Sequence, residues 1–196
     1  MSPAVLIDYP WRRPVALDAI LGEAARLRFK MSCENRTGAL LAVLAASKPG
    51  GRILELGTGV GAGTAWLLDG MTDDATLTSV ELDPTVQAVA LARLGADPRL
   101  KLVERDAADW LTTYDGPGFD LAYVDCRPGK FTHLDQLIDL LNPGALYLGD
   151  DLLLQPTWPE DHQARVDAFL DHLPHQRRLR PVVMSWASGL VVAART

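Results

Sequence analysis

The stretch Glu55–Gly63, ELGTGVGAG, sets a carboxylate two positions before the first of four glycines, Gly57, Gly59, Gly61 and Gly63. Lacking Cβ atoms, glycines let a backbone turn tightly, here around Thr58, and come close to a ligand. The same letters satisfy the dinucleotide pattern G-x-G-x-x-A ending at Ala62, so the turn alone does not choose a cofactor. The acids around it narrow the choice. Glu55 would repel a pyrophosphate and attract an ammonium or sulfonium. Glu81, 24 residues after Gly57, stands where an acid grips a ribose diol. Asp106, after the next apolar run, is placed to accept a hydrogen bond from an adenine amino group. The competing reading is that these carboxylates merely cap the helices that follow them. As a set they suit a cationic adenosyl cofactor better than a doubly anionic one.

A second group of acids follows. Asp125 ends the run YVD just before Cys126-Arg127-Pro128-Gly129, and Asp150-Asp151 end another apolar run. If the two runs are neighbouring strands, these acids lie about 4.8 Å apart. Three carboxylates at one sheet edge repel unless they are protonated or bridged by a cation. All-oxygen donors favour Mg²⁺, Ca²⁺ or Mn²⁺ over zinc. Such an ion would hold two oxygens of a diol-like acceptor and ease ionisation of a phenol. In the alternative reading Asp150 and Asp151 cap a loop and only Asp125 enters the site. Lys130 is the nearest candidate for a base, or else a surface residue or a contact to an anionic acceptor.

These residues need elements that bring them together. Helices are expected over Val15–Phe29 and Glu34–Ala46, followed by a Pro-Gly-Gly break at Pro49–Gly51. Strands over Arg52–Leu56, Thr76–Leu82, Leu100–Glu104, Phe119–Val124 and Ala145–Gly149 then alternate with helices. The helices lie after the glycine turn as far as Leu68, from Asp83-Pro84, over Ala107–Thr113 and over Lys130–Leu141, with a last one at His162–Leu173. Leu179–Trp186 and Leu190–Ala194 flank Ala187-Ser188-Gly189 as a terminal hairpin. Repeated βα units imply a largely parallel, doubly wound α/β sheet, closed by an antiparallel strand. The chain reads as a single domain, with residues 1–48 a helical extension and 49–196 the core.

Bulk properties exclude several classes. The 196 residues suffice for a self-supporting core, and 48% hydrophobic against 22% charged is the balance of a globular chain. A net charge of −6 disfavours nucleic acid, which needs a basic face; the one basic cluster is Arg177, Arg178 and Arg180. Cys33 and Cys126 lie far apart with no metal-type spacing, so a reducing cytoplasm is expected. MSPAVLIDYPWRRP lacks the pattern of a signal peptide, and no apolar run reaches the length of a membrane span.

ELGTGVGAG, SVELD and ERDA, with the terminal hairpin, resemble a class I S-adenosylmethionine-dependent methyltransferase over roughly Met31 to the C-terminus. The resemblance implies a Rossmann-like seven-stranded sheet in the order 3-2-1-4-5-7-6 with strand seven antiparallel. It also implies that Glu55 and the Gly57–Gly61 turn face the methionine moiety, Glu81 the ribose and Asp106-Ala107 the adenine, with Leu82 and Gly63 also at the cofactor. Met31-Ser32-Cys33 before Gly38-Ala39-Leu40-Leu41, like the family's segment that touches the cofactor through its backbone, FDLAYVD, LNPGALYLGDDL and Ser188-Gly189-Leu190 further resemble the catechol and caffeoyl-CoA O-methyltransferases. That family commonly shows VDADKxxY; here Arg127 replaces the second acid, Pro128 the Lys and Phe131 the Tyr. Asp151 replaces the usual Asn. The resemblance implies a small hydroxylated acceptor, Asp125 shared between cofactor and metal, Asp125, Asp150 and Asp151 as metal ligands, and a homodimer. Trp158, Trp11 and Tyr9 are candidate pocket walls, the last two alternatively packing a partner subunit, and His133 and His162 are spare bases. Other readings stay open at this stage: a metal-free enzyme holding its acceptor on Arg127, Lys130 and aromatic residues, a cofactor-binding domain without turnover, and an NAD(P)-dependent oxidoreductase.

Overall fold

Side chains alternate across a strand, and β1 (Arg52–Leu56) shows the consequence. Ile53 enters the apolar cluster on one face of the sheet, while Leu54 and Leu56 enter the cluster on the other. A strand buried on both faces should be apolar throughout. Glu55 breaks that rule while being fully buried, which singles it out before any ligand is considered.

The computed structural model describes residues 12–155 and 158–196, so Tyr9 and Trp11 lie outside the described residues. The remaining strands are β2 (Thr76–Glu81), β3 (Leu100–Glu104), β4 (Phe119–Val124), β5 (Leu141–Gly149), β6 (Leu179–Met184) and β7 (Leu190–Arg195). They form one sheet in the order β3-β2-β1-β4-β5-β7-β6, with β7 antiparallel to both its neighbours, as the resemblance implies. Helices α1 (Leu17–Leu27), α2 (Asn35–Ala46), α3 (Ala62–Gly70) and α4 (Pro84–Leu94) cover one face through Leu17, Leu41, Trp66 and Leu94. Helices α5 (Ala107–Thr113), α6 (Leu134–Leu140) and α7 (His162–His172) cover the other through Trp110, Leu137 and Phe169. No helix among the described residues is long and apolar enough to cross a membrane.

Two boundaries differ by four residues from the sequence reading, the others by no more than two. The helix expected from Lys130 starts only at Leu134, because Cys126–Thr132 closes on itself first. The Arg127 carbonyl accepts from the Phe131 N–H at 2.9 Å, and the Gly129 N–H donates to the Thr132 carbonyl at 2.7 Å. Strand β5 begins at Leu141 rather than Ala145, running through Asn142-Pro143-Gly144 with a shifted register against β4. Arg178, from the basic cluster, is paired with Asp135 at 2.6 Å and Asp139 at 2.5 Å, which spends its charge locally.

Candidate active site

The strand order reverses direction between β1 and β4, and ligands of open α/β sheets lie beyond the carboxyl ends of the strands at such a point. Here the loops after the two strands meet. The Asp125 N–H donates to the Leu56 carbonyl at 2.9 Å. A Cβ on Gly57, whose φ is +96°, would lie 2.7 Å from the Asp125 carbonyl oxygen. A cavity of about 600 Å³ opens above this junction.

Its lining contains most of the expected cofactor residues. Met31, Ser32 and Cys33 wall it from the segment before α2. Glu55, Gly57, Thr58, Gly59 and Gly63 come from the glycine turn. Glu81 and Leu82 follow β2, Asp106 and Ala107 follow β3, and Asp125 follows β4. Phe29, Val86 and Tyr123 join them without having been singled out from the sequence; each reads as ordinary core or helix until the loops are placed.

Gly61 is the exception. Its φ is +95°, and a Cβ there would strike the Ala90 Cβ at 2.7 Å. Its lack of a side chain therefore serves the contact with α4 rather than the cavity. Gly61→Ala should lower stability by roughly 1–3 kcal/mol, measured by urea denaturation, while the Kd for S-adenosylhomocysteine stays within about threefold of wild type.

The strand register builds the floor. Ser79, Glu55 and Tyr123 are paired neighbours on β2, β1 and β4, so three polar side chains form one buried row. The hydroxyls of Thr64 and Ser79 both donate to Glu55 Oε2 at 2.5 Å. Thr58 Oγ1 is 2.6 Å from Ser79 Oγ, which extends the network into the glycine turn. Glu55 Oε1 has no hydrogen-bond partner, and a Cβ on Gly63 would come within 2.6 Å of it. Burial pushes this carboxyl up to about 7, against the pull of the Ser79 and Thr64 hydroxyls. An unpaired buried oxygen of this kind calls for a donor or a cation.

The other acids are held differently. Glu81 accepts the Gly59 N–H on Oε2 at 2.8 Å and the Leu82 and Asp83 N–H groups on Oε1 at 2.9 and 3.0 Å. It thus ties the glycine turn to the end of β2 while facing the cavity. Asp106 caps α5, accepting the Ala108 N–H at 2.6 Å. The capping role and a place in the cavity coexist in this residue.

The three acids expected to hold a metal do not converge on one point. Asp125 and Asp151 line the cavity, but Asp150 is buried and absent from its wall. Asp150 Oδ1 accepts from the Ser188 hydroxyl at 2.5 Å and from the Asp151 N–H at 2.8 Å, and Oδ2 accepts from the Tyr123 hydroxyl at 2.9 Å. Among the described residues no group of three or more His, Cys, Asp or Glu side chains is arranged to hold a metal ion. The donor set therefore does not fit a divalent ion bound by all three carboxylates, because one of them is spent on hydroxyl and amide donors.

Lys130 is placed unexpectedly. It is 3% exposed, and its Nζ donates to the Asp150 carbonyl at 2.5 Å. It borders a separate groove between α6 and α7 rather than the cavity. His133 borders the same groove. His162 Nε2 lies 3.4 Å from the Asp151 carbonyl, and Trp158 stacks on the His162 ring at 4.1 Å, so neither walls the cavity. Arg127 does line the cavity, with its Nη2 3.4 Å from Asp161. Burial and the neighbouring Asp150 and Asp151 charges push Asp125 well above the usual carboxylate range. Burial and Asp150 push Asp151 up to about 6.

Comparison with known proteins adds to this geometry. The family described as "Methyltransferase domain" matches residues 54–152. A protein of Mycolicibacterium smegmatis named "Putative O-methyltransferase" is 38% identical over 168 residues, 81% of this chain and 80% of that one. The O-methyltransferase TomG of Streptomyces achromogenes, involved in tomaymycin synthesis and solved with SAM, superposes with a TM-score of 0.83 at 23% identity, covering 94% of this chain and 91% of that one. An O-methyltransferase of Bacillus cereus solved with SAH gives 0.83 at 18% identity over 98% and 96% of the two chains. At these identities the two solved structures speak for the fold.

Proposed function

We propose, from the premise that this chain belongs to the family of S-adenosylmethionine-dependent O-methyltransferases, that it methylates a hydroxyl of a small phenolic or similar acceptor lying against Asp125 and Asp151. The observation that carries the reading is Glu55 Oε1, a buried carboxylate oxygen without a partner at the edge of the glycine turn. It fits the cationic end of an amino-acid-bearing cofactor and opposes a pyrophosphate.

When bound, S-adenosylmethionine supplies an electrophilic methyl group on a sulfonium. The chain's own residues do the rest. Glu55 is placed to pair with the ammonium. Glu81, its two oxygens oriented by three backbone N–H groups, suits the ribose diol. Leu82, Ala107 and the capping Asp106 flank the space for the base. Asp125 and Asp151 face the cavity, where either would hold the acceptor's hydroxyl and take its proton. Most of the rate would come from holding oxygen, carbon and sulfur in line.

Calorimetry with S-adenosylhomocysteine and with NAD⁺, followed by mass spectrometry of phenols and alcohols incubated with S-adenosylmethionine, tests this. We expect S-adenosylhomocysteine to bind, NAD⁺ not to bind, and at least one hydroxylated compound to gain a methyl group. Binding of NAD⁺ alone would refute the reading, and tight cofactor binding without transfer to any acceptor would leave a binding domain in its place.

A further inference from the structure

The turn Cys126–Thr132 raises a problem of charge. It directs the one lysine of the segment inward, out of solvent. The Arg127 carbonyl collects the N–H groups of Lys130 and Phe131 at 3.3 and 2.9 Å, and the Gly129 carbonyl accepts the buried Tyr147 hydroxyl at 3.1 Å. That leaves the Lys130 side chain 3% exposed, with Nζ 2.5 Å from the Asp150 carbonyl and 4.8 Å from the centre of the Phe131 ring. A buried ammonium is costly unless negative charge compensates it. Negative charge lies at the adjoining strand ends, since Asp125 and Asp150-Asp151 directly follow Val124 and Gly149, which are paired across β4 and β5. Conversely, those acids need a cation near them.

We propose, taking the methyltransferase reading as given, that the Lys130 ammonium is the resident cation of this acidic cluster and stands where a divalent ion would otherwise be required. Three features agree. Asp150 has its carboxylate oxygens committed to Ser188, Tyr123 and the Asp151 N–H, and its carbonyl to Lys130. The turn that buries Lys130 is anchored through Gly129 to Tyr147 on β5, the strand that carries Asp150 at its end. Lys130 does not reach the cavity that Asp125 and Asp151 line, so it acts through them as a positioning residue.

A consequence for the acceptor follows. A metal selects vicinal diols because it chelates two oxygens. A buried ammonium outside the cavity offers no open coordination positions. The acceptor then needs only a single hydroxyl to meet Asp125 or Asp151. Monohydroxylated compounds should be methylated about as well as their ortho-dihydroxylated counterparts.

The experiment uses the full chain and Mn²⁺ alone as the probe, with the free ion followed by electron paramagnetic resonance. Calorimetry with S-adenosylhomocysteine is run on the same samples as a report of folding. Wild type should bind no Mn²⁺ at concentrations up to about a hundredfold above the protein. Lys130→Met should bind Mn²⁺ while keeping its S-adenosylhomocysteine affinity within about threefold, and Lys130→Arg should behave as wild type. Where an acceptor has been found, EDTA should change wild-type turnover by less than twofold, and the monophenol and catechol of one ring should differ by less than about fivefold in kcat/KM. Stoichiometric Mn²⁺ binding by wild type, or abolition of turnover by EDTA, overturns the proposal. So does a folded Lys130→Met that binds no Mn²⁺ and methylates at the wild-type rate. Failure of S-adenosylhomocysteine to bind would instead strike the methyltransferase reading, and the Mn²⁺ titration of wild type would still decide the question of the cation.

Discussion

Glu55→Gln should unfold at a higher urea concentration than wild type above pH 7 and yet bind S-adenosylhomocysteine about 10- to 100-fold more weakly. Both halves follow from one buried oxygen. In the folded chain the Glu55 carboxyl is raised from 4.5 to about 7, chiefly by burial. Between those two values the folded chain holds the proton and the unfolded chain has lost it, so stability falls as pH rises through that window. The accumulated penalty above pH 7 is roughly 3 kcal/mol. Glutamine removes the ionisation and with it the penalty, and its oxygen can still accept from Thr64 and Ser79. A ligand ammonium gains most from the ionised carboxylate, so the wild-type affinity should tighten between about pH 6 and pH 8 and then level off. In Glu55→Gln that slope should vanish. Calorimetry at several pH values, with urea melts of the ligand-free proteins, measures both effects; a variant with wild-type affinity and the wild-type pH slope would remove Glu55 from the cofactor site.

This residue also shows how far sequence reasoning reaches. An acid among the Ile and Leu residues of a buried strand is visible by inspection, because parallel strands covered on both faces leave no place for a charge without a reason. The sheet order was legible for a related cause. The regular alternation of strands, helices and turn residues leaves few topologies, and the glycine turn marks which strand comes first. The acid cluster was harder. Asp125, Asp150 and Asp151 were correctly placed at adjacent strand ends, but sequence spacing does not say which way a side chain turns at the end of a strand. Asp151 leaves β5 with φ at +61°, and this bend sends it to the cavity while Asp150 turns to Ser188 and Tyr123. Ser188 arrives from the β6–β7 hairpin, 38 residues away. The burial of Lys130 is illegible for a local reason: the helix expected to start there is pre-empted by a turn that Pro128 and Gly129 favour.

The second large effect is expected at Asp150, where the two roles considered for this acid predict different results. As a metal ligand, Asp150 would be needed for turnover and of modest importance to folding, since removing one of three crowded carboxylates relieves repulsion. As found, it joins the end of β4 through Tyr123 with the hairpin through Ser188, and it shapes its own strand end through the Asp151 N–H. Asp150→Ala strands two buried hydroxyls and an amide, and should cost roughly 3 kcal/mol or more by urea denaturation. Asp150→Asn keeps an oxygen for Ser188 and the Asp151 N–H, and the Tyr123 hydroxyl can turn to accept from the new amide. It should therefore recover most of the lost stability, to within about 1 kcal/mol of wild type. It also takes one carboxyl from beside Asp125 and Asp151, so the acid limb of the methylation rate should move to lower pH as those two groups ionise more readily. If Asp150→Asn were as unstable as Asp150→Ala, the charge itself, and not the hydrogen bonds, would be holding the site together.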